Sequence, residues 1–293
     1  MKINTKHAII IILPIVLFFI LNAVYNARSP VLIVTEESFL QLYSGERAEK
    51  EAAKTAAALF RPVKTVTIAN DAGFDIVPVA VMDVSPDPYC VIFPLRFARS
   101  AKLFAEQNPE ITVIILEGSF PDTEKPVELV IGSDISNFFI YKTDINSDFY
   151  NAGLASLTLD QGKNGNIVVF TEKNLPQARE NFLRALNDRG NLLETRFYTS
   201  FMQYSEVSNL SCIVLAGSGA DIVENKPGTP VIMFTWIDPS LLPMDIVLVI
   251  DDSPWAQALR AVKMASAVEK TGFIKSKFRY IDRKRFGGRL LRL

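Results

Sequence analysis

The chain has 293 residues, of which 49% are hydrophobic and 22% charged, and its formal net charge is -1; this is the balance of a globular protein and excludes the disordered and fibrous classes. At roughly 100 to 200 residues per domain, the length predicts two lobes of similar size. The only histidine, His7, precedes the folded body, which leaves that body without a histidine triad, a histidine general base or a histidine-built metal site.

The first element is an apolar helix. Lys2 and Lys6 precede a charge-free run of 17 residues from Ala8 to Val24, at the lower edge of the roughly 17 to 25 residues that span a bilayer and just above the core of about 7 to 15 in a signal peptide. Cleavage after Ala23 or Ala27 would put Leu21 or Tyr25 where a small residue is required. Residues 1–29 are therefore expected to remain as a signal anchor in the cell membrane, with the leading lysines cytoplasmic and the body in the periplasm or extracytoplasmic space; if cut, the body is secreted. No cysteine stands near the end of the run to carry a lipid.

Beyond the anchor, short apolar runs alternate with helical stretches. Val31 to Val34, Ile111 to Leu116, Asn166 to Phe170, Cys212 to Leu215, Val231 to Phe234 and Ile246 to Ile250 are apolar on both faces, the pattern of strands in a parallel sheet covered by helices on each side. Glu36 to Phe60 reads as a helix with Gly45 as an interior weakness. Pro176 opens a helix with Ala178, Phe182, Leu183 and Leu186 on one face and Gly190 as its stop. Ser253 and Pro254 supply the cap and first turn of another, with Trp255, Leu259 and Val262 at helical spacing before Gly272; Trp255 is expected to be a packing anchor. Cys90 and Cys212 lie in apolar runs and are expected to be buried free thiols. The fold class is α/β, two Rossmann-like lobes with parallel sheets preceded by the apolar helix.

From Lys275 onward the chain carries eight Lys and Arg against one acidic residue, Asp282. That end is read as a solvated last strand and a frayed terminus, or as a contact for anionic lipid. Nucleic acid is not an expected partner, because the body lacks a general basic surface.

Ligands of open parallel sheets bind beyond the C-terminal ends of the strands. One loop there, "SCIVLAGSGADIV", lacks the third glycine of a dinucleotide fingerprint, Ile222 standing in its place, and lacks the Lys-Ser/Thr of a phosphate loop. No cofactor is expected. Asp251 and Asp252 are adjacent in an extended segment and point to opposite faces, so no catalytic residue or metal site is assigned and the protein is not read as an enzyme.

Taken in order, "EESFLQLYSGERAEKEA", "NPEITVIILEGS", "FIYKTDINSDFYNAGLAS", "GNIVVFTEKNLPQARENFLRAL" and "CIVLAGSGADIVE" with "TPVIMFTWID" resemble the corresponding segments of the basic membrane protein family of substrate-binding proteins, within the type I periplasmic binding protein superfamily. The resemblance implies a two-lobed receptor that closes on a small polar solute, a purine nucleoside as first guess, and hands it to an ABC-type importer permease. It also implies the site: Phe39 as the base-stacking ring, with Glu37 and Ser38 beside it, Glu117 in place of the family's Asp, and Gly217, Ser218 and Gly219 as the family's glycine loop. Trp236 and Asp238 follow the last of these segments, Asp238 as a displaced substitute for the Asp whose place Thr235 takes. The pattern is broken at Leu40, where the family has Asn, and near Ser253, where it has Lys.

The lobes are expected at residues 30–141 and 142–244, with 245–272 returning to the first lobe and 273–293 forming the basic end. The alternative function is a degenerate binding-protein fold acting as a membrane-anchored interaction or scaffold module.

Overall fold

A computed structural model describes residues 5–118, 135–160, 165–171, 175–190, 193–199, 207–216, 228–235, 237–242 and 245–281, with side chains from residue 14 onward. Two six-stranded sheets organise the body. The first contains β1 (Val31–Glu36), β2 (Val63–Ile68), β3 (Cys90–Pro94), β4 (Thr112–Glu117), β5 (Phe138–Thr143) and β11 (Thr271–Ile274), in the order β11-β5-β4-β3-β1-β2. All its pairings are parallel. The second contains β6 (Asn166–Thr171), β7 (Thr195–Tyr198), β8 (Leu210–Ala216), β9 (Val231–Phe234), β10 (Ile246–Asp251) and β12 (Lys277–Tyr280), in the order β12-β10-β9-β8-β6-β7. There β12 alone runs antiparallel, against β10.

Strands β1 and β10 are buried end to end because helices cover both faces. On one face of the first sheet, Leu32, Val34, Val113 and Ile115 pack with Val77 and Val81 of α4 (Ile76–Val84) and Phe104 of α5 (Ala98–Gln107). On the other, Val31, Ile33 and Ile114 meet Tyr43, Ala48 and Trp255, from α2 (Glu37–Tyr43), α3 (Gly45–Leu59) and α8 (Pro254–Ser266). In the second lobe Phe149 of α6 (Ile145–Asp160) and Phe182 of α7 (Pro176–Asn187) fill the core beside Val169 and Val214. These two helices pack closely at Gly153, where an added Cβ would come within 2.7 Å of the Phe182 carbonyl oxygen and 2.8 Å of Ala185 Cβ.

The expected strands and helices are present, with two corrections. The single helix expected over Glu36 to Phe60 is two, because Ser44 takes φ 77 and turns the chain before Gly45. The return to the first lobe starts later than residue 245: β10 pairs with β9 in the second sheet, and the chain crosses only after Asp251. The chain thus passes between lobes three times, from β5 to α6, from β10 to α8 and from β11 to β12. Cys90 and Cys212 are buried and free, and burial pushes both thiols up to about 12.

The apolar segment forms α1 (Thr5–Asn26), 22 residues long. Its side chains from Ile15 to Leu21 and at Val24 are exposed, so this stretch projects from the body, and Tyr25 in the last turn packs on Phe60. Among the residues described with side chains, no helix is long and apolar enough to cross a membrane.

Candidate ligand-binding site

Apolar strand runs end in charge at the C-terminal edge of the first sheet. Side-chain alternation carries Glu36, at the end of β1, onto the face of Leu32 and Val34. Glu117 follows Val113 and Ile115, and Lys142 follows Phe138 and Ile140, onto that same face. Ile33 pairs with Ile92 and Leu116 with Pro94; extending both registers places Glu36 and Glu117 level with Leu95, one strand to either side. At about 4.8 Å per strand, their backbones lie roughly 10 Å apart.

Each carboxylate has a cation beside it. Arg96 forms an ion pair with Glu36, whose side chain is 3% exposed, while the Arg96 side chain is 55% exposed. Lys142 Nζ lies 3.4 Å from Glu117 Oε2. Neither Glu36 Oε2 nor Glu117 Oε2 has a hydrogen-bond partner, although both atoms are buried. Each of these oxygens touches its cation, and because a carboxylate oxygen has more than one acceptor position, room is left at the sheet edge for a donor brought by a ligand. Next to Glu117, Gly118 keeps the edge open toward the second lobe: a Cβ there would come within 3.3 Å of Asp252 Oδ2.

Behind this edge the lobes are joined by buried polar contacts. Asp251, fully buried at the end of β10, accepts from Arg47 Nη2 at 2.7 Å, Tyr43 Oη at 3.2 Å and the Ser253 amide at 3.0 Å. Burial pushes its carboxyl above the ordinary value, with Arg47 and Ser253 pulling against it. Arg47 also lies over the Tyr43 ring at 4.1 Å, and that ring stacks on Trp255 with centroids 4.7 Å apart. Further along α3, Glu51 contacts Lys277 of β12 as well as Lys54. Burial raises the Glu51 carboxyl, but the two ammonium groups outweigh it and hold it below the ordinary value. At the third crossing Asp148, also fully buried, accepts from the Ser276 amide and hydroxyl. Burial, with help from Asp252 and Asp144, pushes this carboxyl up to about 7 against those hydrogen bonds.

Of the residues expected in the site, Glu117 stands at the sheet edge as described. Glu37 is exposed in the first turn of α2, and Ser38 donates its amide to Asn70 Oδ1 at 3.2 Å, tying α2 to the end of β2. Phe39 follows on the same helix and is half-buried. Asp238 spends Oδ1 on its own turn, accepting from the Ser240 amide at 3.0 Å and hydroxyl at 2.8 Å, and its amide donates to the Leu42 carbonyl at the end of α2. Gly217, Ser218, Gly219 and Trp236 lie outside the described residues. Trp255 is a core residue, 1% exposed. Arg96 and Lys142 did not stand out in the sequence, because what marks them is the carboxylate on the neighbouring strand.

The two α/β lobes, each built on a six-stranded sheet, match the type I periplasmic binding protein fold, which solved structures share. The chain is similar to the periplasmic ribose ABC transporter from Conexibacter woesei DSM 14684, with 13% identity and a TM-score of 0.51 over 90% of this chain and 95% of that one. It is similar to the same degree to an ABC transporter periplasmic solute-binding protein from Actinobacillus succinogenes 130z with bound D-allose, at 14% identity and a TM-score of 0.51, covering 89% of this chain and 100% of that one. No protein-family model and no curated protein sequence matches the chain.

Proposed function

We propose that this protein is an extracytoplasmic solute-binding protein that captures a small hydroxyl-rich solute between its lobes. The observation that carries the reading is the pair Glu36 and Glu117: a buried and a half-buried carboxylate, level with each other, each with a buried oxygen beside a cation and no hydrogen-bond partner. Carboxylates that can still accept from a ligand favour a solute with several hydroxyl donors, and hydrogen bonds to charged groups are the strong ones. The sugar named with the Actinobacillus structure and the ribose named with the Conexibacter protein are of that chemistry. A purine nucleoside is the narrower form of the proposal: its ribose would meet the carboxylates and its base would stack on Phe39.

Capture outside the membrane suits an importer as the downstream partner. The charge-free run of 17 residues and its leading lysines support a membrane-anchored body on the outer side, the run lying at the lower edge of the length that spans a bilayer.

Calorimetric titration of the full-length protein with monosaccharides, nucleosides and amino acids tests the reading. Binding of a hydroxylated solute is expected, weakened roughly 10- to 150-fold in Glu36→Gln and in Glu117→Gln, at the 1.5 to 3 kcal/mol of a charge-assisted hydrogen bond. A nucleoside hit lost in Phe39→Ala selects the narrower form; a sugar hit indifferent to Phe39 selects a free monosaccharide. A panel that gives no heat refutes the proposal and returns the fold to the role of a scaffold.

A further inference from the structure

Only four residues separate the end of α1 from β1, and they are fastened to the first lobe. Arg28 donates to the Phe60 carbonyl at 3.3 Å, and its guanidinium lies 5.0 Å from the Phe60 ring, against which Tyr25 also packs edge-on at 5.8 Å. Arg61 donates to the Ser29 carbonyl at 3.2 Å, Ser29 Oγ donates to Asp87 at 3.3 Å, and the Pro30 carbonyl accepts from the Tyr89 amide at 2.8 Å. These contacts gather at the N-terminal ends of β1, β2 and β3, the edge of the sheet opposite Glu36 and Glu117. The helix is therefore stapled to one pole of the molecule and does not swing on a flexible tether.

The chemistry of that pole matches a lipid boundary. Arg61 covers the Tyr89 ring at 3.9 Å, as Arg28 covers Phe60. The Tyr89 hydroxyl bonds Ser266 at 3.2 Å, next to the turn where Val268, in the left-handed region at φ 60, stands 69% exposed. Aromatic rings with arginines that can donate to phosphate oxygens are the side chains enriched where hydrocarbon meets headgroups. They are continuous with a helix whose apolar side chains are bare.

We infer that this pole, formed by Tyr25, Arg28, Phe60, Arg61, Tyr89 and Val268, is a docking surface for phospholipid headgroups that holds the molecule upright on the membrane. The inference rests on the proposal that α1 enters the bilayer. Its consequence is that the cleft edge is held away from the lipid: β1 alone, at about 3.3 Å per residue, sets Glu36 some 17 Å beyond the pole. The component that takes the solute must then reach the cleft with a portion of its own outside the membrane.

Full-length protein reconstituted in phosphatidylethanolamine–phosphatidylglycerol vesicles tests this stance. A fluorophore is placed on Val268→Cys at the pole, or on Ser208→Cys before β8 at the N-terminal edge of the second sheet; Cys90 and Cys212 are buried and escape labelling. A spin label on the lipid headgroup is expected to quench the first probe and spare the second. Replacing Arg28 and Arg61 together by Ala is expected to reduce the quenching at 268 while leaving the protein on the vesicles. Equal quenching at both positions, or none at 268, in protein that floats with the vesicles overturns the upright stance and leaves the anchor standing. Protein that fails to float with the vesicles overturns both.

Discussion

Asp148 is expected to contribute stability in mild acid that is lost in base, and Asp148→Asn is expected to remove that contribution. The carboxyl is fully buried at the start of α6 and is pushed up to about 7, whereas an unfolded aspartate titrates near 3.9. The native state therefore binds this proton more tightly, and the stability it contributes is present in full below about pH 4 and lost as pH rises through about 7. A gap of about three units at 1.36 kcal/mol each sets a ceiling of roughly 4 kcal/mol, of which about 2 to 3 kcal/mol falls between pH 5 and pH 8. Asparagine keeps an acceptor for the Ser276 amide and carries no ionisable proton. Urea unfolding of both proteins at the two pH values isolates the difference, since every other titrating group is shared. The variant is expected to gain on the wild type by about 2 to 3 kcal/mol from pH 5 to pH 8. A difference that stays constant with pH, or that moves toward the wild type in base, refutes the argument that burial governs this carboxyl.

Two further substitutions probe how the lobes are built. Arg47→Ala strands the Asp251 carboxylate in the interior and is expected to cost about 3 to 5 kcal/mol in urea unfolding, with Arg47→Ala/Asp251→Asn recovering part of the loss. Gly153→Val pushes atoms into the Phe182 carbonyl and Ala185, and is expected to destabilise the second lobe by about 1 to 3 kcal/mol, seen as faster amide exchange in α6 and α7 than in α4 and α5.

The parts of the fold that are legible in the sequence are those whose environment is local. Strands buried on both faces, such as β1, β8 and β10, spell themselves out as unbroken apolar runs. The edge strands do not: β2 alternates exposed and buried positions, and β7 and β12 are only four residues long. The Ser253 cap is readable because its hydroxyl bonds the Ala256 amide three residues on. The Arg47–Asp251 contact, by contrast, closes across 204 residues and leaves no mark in either neighbourhood. The site divides the same way. Glu117 is visible as a charge ending an apolar strand, and Glu36 is blurred by Glu37, since an acidic residue at a strand end and one in the first turn of the next helix look alike in sequence. Arg96 and Lys142 acquire meaning only once strand register sets them against those carboxylates.

The three crossings also govern how the protein must be made. The first lobe's helix α8 and strand β11 are synthesised after almost all of the second lobe, and the second lobe receives β12 only after β11. Until Trp255 arrives, the face of the first sheet carrying Val31, Ile33 and Ile114 has no cover from α8. At about 5 to 20 residues per second, the roughly 220 residues between β1 and Trp255 take some ten seconds or more to emerge. Neither lobe can be finished before the other is nearly complete, so a chain truncated near residue 250 leaves two unfinished sheets where an uninterrupted two-domain protein would leave one intact domain.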